Sequence, residues 1–391
     1  MRLFELFMRR VPALIGTALI VSGTPTSTAS AGVRILTAQA KSTTIEIPFK
    51  SHDGYPMFGK LTIPDSPGRH PVVIYVQTAE GMTVDMKRPK PGGGTFNYFD
   101  LYAEKLPEMN VAFFRYEGRG ISMGDQPPRY EKFNQDIYNT STLENKVRDI
   151  LSAVEVVQKQ PGIDTAQILL MGASEGTLLA AEAASRAPRQ IKGLILYGVM
   201  SGNMRETFRF IVTDGAFMLY KRVFDADKDG KISKAEYEAD PYKYRETVFK
   251  NAGFENFDRN GDGIWTSDEM KAVTKVYLDA IDTDNFEILD GWAKGSAGVT
   301  TPKGWFKDHF AHPTIWTFLS RMDISIGLFS GRCRPLYVRR RCQEDGRTGE
   351  EGRKVQHAVS LLRTPGSFTW DNRLFRQGNP SRRSQSHLRI H

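Results

Sequence analysis

Between residues 72 and 197 the chain alternates short apolar runs with longer amphipathic stretches. Residues 72–76 are a β-branched run behind Pro71, which predicts a strand. Residues 98–108 have helical spacing, and 111–116 form the next apolar run. Residues 140–159 predict a long amphipathic helix, with Ser141 and Glu144 spaced as a capping box at its start. Residues 168–171 predict a strand, 174–187 an alanine-rich helix, 194–197 a strand, and 323–329 a further strand ahead of Ser330 and Gly331. Such alternation belongs to the α/β class, with a mostly parallel sheet and helices on both faces.

Two polar twelve-residue stretches interrupt this pattern. One runs from Asp225 through Asp227, Asp229, Lys231 and Ser233 to Glu236. The other runs from Asp258 through Asn260, Asp262, Ile264 and Thr266 to Glu269, 33 positions later. Ca²⁺ is a hard cation that takes six to eight oxygens, and a calcium loop offers them from positions 1, 3, 5, 7, 9 and 12, with Gly at position 6. Both stretches match at every position, with Gly230 and Gly263 at the turn. Lys231 and Ile264, at position 7, need only lend a carbonyl. Both resemble EF-hand loops, and two Ca²⁺ sites are expected. Ile232 and Trp265, at position 8, are where the two loops would meet. The apolar flanks (Phe208, Phe210, Ile211, Phe217 and Leu219 before; Val273, Val276, Tyr277 and Leu278 after) suit an all-α pair inserted as a cap.

The two ends differ from the middle. Arg2, Arg9 and Arg10 precede an apolar run at 11–21 that is too short to span a bilayer. Small residues follow, with cleavage sites after residue 31 or 40, so 1–31 reads as a signal peptide and the product as secreted or periplasmic, without a stable membrane anchor. The net charge of +8 is localised: residues 332–391 hold 14 basic and 5 acidic residues, while the first 331 hold 39 and 40. Cys333 and Cys342 also lie in this tail. No aromatic platform or groove-reading helix accompanies the charge, so no nucleic-acid partner is expected.

The chemistry is expected where the strand at 168–171 meets its helix, at Gly172-Ala173-Ser174-Glu175-Gly176. A nucleophilic serine on a strained turn needs small neighbours that let strand and helix approach. Ser174 is the candidate nucleophile. The next backbone N–H, on Glu175, would face a developing oxyanion, with a second donor from Thr78 or Ala79 in the loop after residues 72–76. Residues 114–122 resemble the "R-Y-D-x-R-G-x-G-x-S" loop of α/β-hydrolases, and Gly172–Gly176 resembles their "G-H-S-E-G" elbow with Ala173 in place of His. From about residue 45 to 331 the chain resembles a secreted α/β-hydrolase of the esterase or S9-peptidase-like kind. That resemblance implies a serine hydrolase acting on a small ester or peptide, with cap insertions after the strand at 194–197.

The resemblance fails after Gly331. The family's acid follows that strand as "G-x-x-D", but here the sequence is Gly331-Arg332-Cys333-Arg334. His309 and His312 precede the strand, and His357, His387 and His391 lack the family's context. The tail reads as a frameshifted hydrolase ending. Gly366–Gly378 can be encoded so that the frame one base later reads D-H-S-L, 383–390 can likewise yield a terminal helix, and an acid motif can arise just past Gly331. The expected organisation is 41–203 as the first part of the hydrolase core, 204–283 as the EF-hand pair, 284–331 as the rest of the cap with a hydrolase strand, and 332–391 as a disordered basic tail. A non-catalytic calcium-binding protein on a hydrolase scaffold is the alternative.

Overall fold

A computed structural model describes residues 42–329 and 336–338, apart from 80, 91–92, 128, 201, 248, 250 and 296–300. The chain divides into two units. One is Ser201–Thr314, and the other runs up to Met200 and resumes at Ile315.

The second of these contains an eight-stranded sheet. Its strands are β1 (Ser42–Lys50), β2 (Pro56–Pro64), β3 (His70–Tyr75), β4 (Ala112–Tyr116), β5 (Ile163–Ala173), β6 (Ile191–Tyr197), β7 (Ser325–Phe329) and β8 (Leu336–Val338). Their order is β1-β2-β4-β3-β5-β6-β7-β8. From β4 to β7 every pairing is parallel, and β1, β2 and β8 join antiparallel. The parallel strands carry apolar runs (Val72–Tyr75, Ala112–Phe114, Ile168–Met171, Leu194–Tyr197 and Ile326–Phe329) where both faces are covered. Pro71 lacks an N–H and falls at the register irregularity between His70 and Val72, where no ladder donor is needed.

Three helices cover the sheet. α1 (Asp100–Glu108) packs Phe99 and Tyr102 onto Tyr75 and Phe113 on one face. On the other face, α2 (Leu143–Gln158) and α3 (Glu175–Arg186) share a core with Val72, Ile74, Phe114, Ile168, Leu170 and Leu194. Val147, Ile150, Val154 and Val157 recur at helical spacing and are fully buried. The cap of α2 is one residue later than the sequence indicated. Thr142 accepts the Asn145 N–H, while Glu144 pairs with Arg148 and Arg186 instead of closing a box.

Leu336–Val338, at the start of the basic tail, pairs antiparallel with β7 over three residues. The rest of the tail and the predicted signal peptide lie outside the described residues. Among the described residues, no helix is long and apolar enough to cross a membrane.

In the Ser201–Thr314 unit, α4 (Met204–Phe210) runs through a π-turn (Ile211–Gly215) into α5 (Ala216–Phe224). α6 (Lys234–Ala239) follows the first polar loop. α7 (Ser267–Val273) follows the second and leads into α8 (Lys275–Asp282). Two separate cores result. Phe217, Tyr220, Phe224, Tyr237, Phe254, Phe257 and Trp265 form an aromatic core between the loops. Phe208, Val212, Ala280, Ile281, Leu289, Trp292 and Phe306 form the other. The apolar flanks thus divide between two cores, and Phe210 and Val276 are exposed.

Candidate functional site: a strained serine elbow and two acidic loops

β5 runs straight into α3 with Ser174 at the corner. Its backbone sits at φ 51° and ψ −123°, a conformation sterically costly for a side-chain-bearing residue. Neighbouring contacts maintain it. A Cβ at position 172 would lie 2.2 Å from Gly176 O, so only glycine lets the strand end pass the helix start. Ser174 N donates to Tyr197 O across to β6 at 3.1 Å. Ser174 O accepts from Thr177 N at 3.0 Å and from Thr177 Oγ1 at 2.7 Å.

The loop after β3 lies against this corner. Gly176 stands so close that a Cβ there would be 3.2 Å from both Val76 O and Gln77 O, and 3.7 Å from Thr78 Cγ2. Gln77 is buried and holds the loop in shape: its Nε2 donates to Tyr116 O, and its Oε1 accepts Met82 N at 2.8 Å. Tyr138 OH donates to Ala79 O. Among the described residues no hydrogen bond occupies the N–H of Thr78 or Ala79. The structure therefore brings Ser174, the first N–H of α3 on Glu175, and the Thr78–Ala79 loop to one end of the sheet.

The two polar loops are folded alike. Gly230 and Gly263, at φ +93° and +82°, make the sharp turns. Asp225 Oδ2 accepts Gly230 N at 3.1 Å, and Asp258 Oδ2 accepts Gly263 N at 2.9 Å. Glu236 reaches back to Ala226 N at 2.8 Å and caps α6 through Ser233, and Glu269 does the same to Arg259 N at 2.7 Å and Thr266. Burial pushes the Glu236 carboxyl up, but these donors outweigh it and hold it below its usual range. Ile232 pairs antiparallel with Trp265, joining the loops at position 8. Oxygens of Asp225, Asp227 and Asp229 lie within 4.8 Å of one another. Asp225 Oδ1 is buried and has no hydrogen-bond partner among the described residues. Three converging carboxylates with one orphaned oxygen fit a hard cation. In the first loop the position-7 carbonyl of Lys231 would add a further oxygen, as that of Ile264 would in the second loop.

No family model and no curated protein matches this chain. Several solved structures resemble it weakly. A prolyl endopeptidase is 14% identical over 40% of this chain and 21% of its own, with a TM-score of 0.29. A hypothetical protein from Pseudomonas aeruginosa is 13% identical over 56% and 69%, with a TM-score of 0.32. The esterase Est22 is 19% identical over 42% and 47%, with a TM-score of 0.31. The chain thus spans about a fifth of the prolyl endopeptidase and under half of the esterase. Likenesses of this size say nothing about chemistry, which the residues themselves must carry.

Several functional-looking residues were invisible to sequence reasoning. Arg119, in the loop likened to the hydrolase motif, is 3% exposed. It binds Asp149 through Nε at 2.8 Å and Nη2 at 2.7 Å, Asp53 through Nη1 at 2.6 Å, and Ser51 Oγ at 3.0 Å. Burial alone would lower its pKa, but the two carboxylates raise it, and Arg119 in turn holds Asp53 well below the carboxylate range. Lys146 of α2 pairs with Glu175 at 2.9 Å, anchoring the residue next to Ser174. Glu117 is different: burial and then Asp85 push its carboxyl up to about 7, against the pull of Lys60. The hydrogen-bonded partners are 29 to 68 positions apart along the chain, so no spacing rule could pair them.

Among the described residues, no histidine is hydrogen-bonded to Ser174 Oγ. His52 Nδ1 bonds Ser51 Oγ at 3.1 Å, and His70 Nε2 bonds Ser66 O at 3.0 Å. His309 and His312 belong to the Ser201–Thr314 unit. His357, His387, His391 and the residues just after β7 lie outside the described residues. Among the described residues, neither histidine of the elbow's own unit bonds Ser174 Oγ.

Proposed function

We propose that the chain is a serine hydrolase, acting on small esters or short peptides through an acyl-enzyme, with a calcium-binding EF-hand pair. The single observation that carries this reading is Ser174, held at a costly backbone conformation on a strand-to-helix corner against the loop that carries Thr78 and Ala79. Ser174 Oγ would attack the acyl carbon as its proton passes to a base. The carbonyl oxygen, now negative, would be held by the N–H of Glu175 and by that of Thr78 or Ala79. Loss of the alcohol or amine leaves the acyl-serine, and water then releases the acid.

The base and acid of this reaction belong, on this proposal, to the ending encoded one base out of frame past Gly331. The leader at 1–31 would deliver the protein to a secreted or periplasmic location, where calcium is plentiful. Two Ca²⁺ ions would bind Asp225, Asp227, Asp229, Ser233 and Glu236, and Asp258, Asn260, Asp262, Thr266 and Glu269. Their contribution would be to stability rather than to the acyl transfer.

A second reading is a calcium-binding protein on a hydrolase scaffold that does no chemistry; among the described residues His52 and His70, the histidines of the elbow's unit, bond Ser51 and Ser66 rather than Ser174. Hydrolysis of nitrophenyl acetate by the 391-residue chain and by a frame-restored chain, each with and without Ser174→Ala, separates the two. Serine-dependent turnover in the frame-restored chain supports the hydrolase. None in either chain supports the scaffold reading.

A further inference from the structure

The two acidic loops look equivalent, but their surroundings differ. Position 10 of the first loop is Lys234, whose side chain is directed at Glu238 of its own helix, 4.0 Å away. Position 10 of the second is Ser267, which donates through Oγ to Asp214 Oδ1 at 2.5 Å. Lys271, one turn on, lies 3.8 Å from the same oxygen. Asp214 belongs to the π-turn between α4 and α5.

That turn stands between the two cores. Before it, Phe208 and, within it, Val212 are buried with Trp292 and Phe306. After it, Ala216, Phe217, Tyr220 and Phe224 are buried in the aromatic core. An α-helix widened by one residue rotates everything beyond the insertion, and single π-turns recur at functional sites. Here the rotation gives one helix two differently directed apolar stripes. α4 is also held at its other end. Arg205 bonds Ile281 O and, at 2.5 Å, Asp284 Oδ1, while Arg209 bonds Asp282. Those partners follow α7, the exit helix of the second loop, by way of α8, which carries Ala280 and Ile281 into the second core.

We propose that the π-turn is the joint through which calcium in the second loop sets the packing of the Phe208–Trp292–Phe306 core. This rests on the calcium reading above. Two of the ligands in the second loop, Thr266 and Glu269, flank Ser267, so an ion that fixes them fixes the first turn of α7. Asp214 follows Ser267, and α4 follows Asp214. Among the described residues the first loop makes no such contact with the π-turn, so on this proposal it serves the aromatic core. The two ions therefore have different jobs.

Hydrogen exchange on the full chain, with calcium or with chelator, tests this. In wild type, calcium should slow exchange about tenfold both in residues 258–269 and in residues 204–212. Asp214→Ala should keep the first effect and cut the second to roughly twofold, the loss expected from one charge-assisted hydrogen bond. Asp214→Asn, whose amide oxygen still accepts from Ser267, should retain both. Glu269→Gln should remove both, and Glu236→Gln should spare residues 204–212. Asp214 is half-exposed, so equal melting temperatures of wild type and Asp214→Ala in chelator should confirm that the fold is intact. Undiminished protection of 204–212 in Asp214→Ala would overturn the proposal and leave the calcium reading standing. So would Glu236→Gln acting as strongly as Glu269→Gln. No calcium effect on residues 258–269 in wild type would overturn both.

Discussion

The two acidic loops and the serine elbow are assembled in opposite ways. Each loop is complete within twelve consecutive residues: ligands, turn glycine and closing glutamate are neighbours along the chain. The elbow is local only in its corner. Its oxyanion loop comes from beyond β3, its buried clamp from α2, and a hydrolase's acid and base come from after β7. A contiguous site survives damage elsewhere, whereas an assembled site loses function when one distant segment changes. On the reading proposed above, the same chain would hold two complete ion sites and a serine corner whose partners come from a distant segment.

The largest expected effect tests the assembled site. The 391-residue chain should hydrolyse nitrophenyl acetate near background, and restoring the frame should raise kcat by about 10³-fold or more, the scale of a triad partner. Robust turnover by the present chain would show that the corner needs no distant base. Sequencing the gene around codon 331 is a second check, since three frames all unlike a hydrolase would remove the frameshift.

Next comes the corner itself. Gly172→Ala should destabilise the eight-stranded-sheet unit by roughly 3 kcal/mol or more, because its methyl would meet Gly176 backbone at 2.2 Å and no flexible side chain can yield. Chemical denaturation should show this loss while calcium binding is unchanged. Loss of ion binding in that variant would mean that the two regions are not independent.

The contiguous sites should respond singly. Calorimetry should find two Ca²⁺ in wild type and one in either Glu236→Gln or Glu269→Gln, since the closing glutamate supplies two oxygens. At hundredfold excess over Kd each ion contributes about 2.7 kcal/mol. An unchanged melting temperature in chelator would make the loops vestigial.

The smallest effect is in pH. Glu117 is raised from 4.5 to about 7, so the folded state holds its proton more tightly than the unfolded chain. Its stability contribution is fullest below the unfolded value and is lost as pH climbs from 4.5 to about 7, by about 1–2 kcal/mol after screening. Asp53 works oppositely and only below the ordinary aspartate range, because Arg119 depresses its pKa. Glu117→Gln should flatten denaturation midpoints across the window from 4.5 to 7. An unaltered slope would exclude Glu117 as its source.

The same division governs what the sequence made legible. The parallel strands β3 to β7 were readable within a few residues, because strands buried on both faces are continuous apolar runs. The elbow and both loops were readable because each is a short run of fixed spacing. β1 and β2 were not, since six of the nine positions of β1 are exposed and the register of each strand depends on the other. The π-turn was not, because an inserted residue leaves no mark in composition. The Arg119–Asp149–Asp53 cluster was not, because tertiary folding alone creates it.

The three residues of β8 invite a last thought. They join β7 through main-chain atoms, in a ladder that is indifferent to which side chains it carries. A sheet rim is thus a grammar without a vocabulary: it asks for an extended backbone and takes whatever words arrive. A core strand must be spelled correctly, but a terminal rim strand can be rewritten wholesale and still be taken up. Coding errors that fall after the last buried strand should accordingly persist in lineages longer than those that fall before it, and they should do so as folded proteins that have lost an activity.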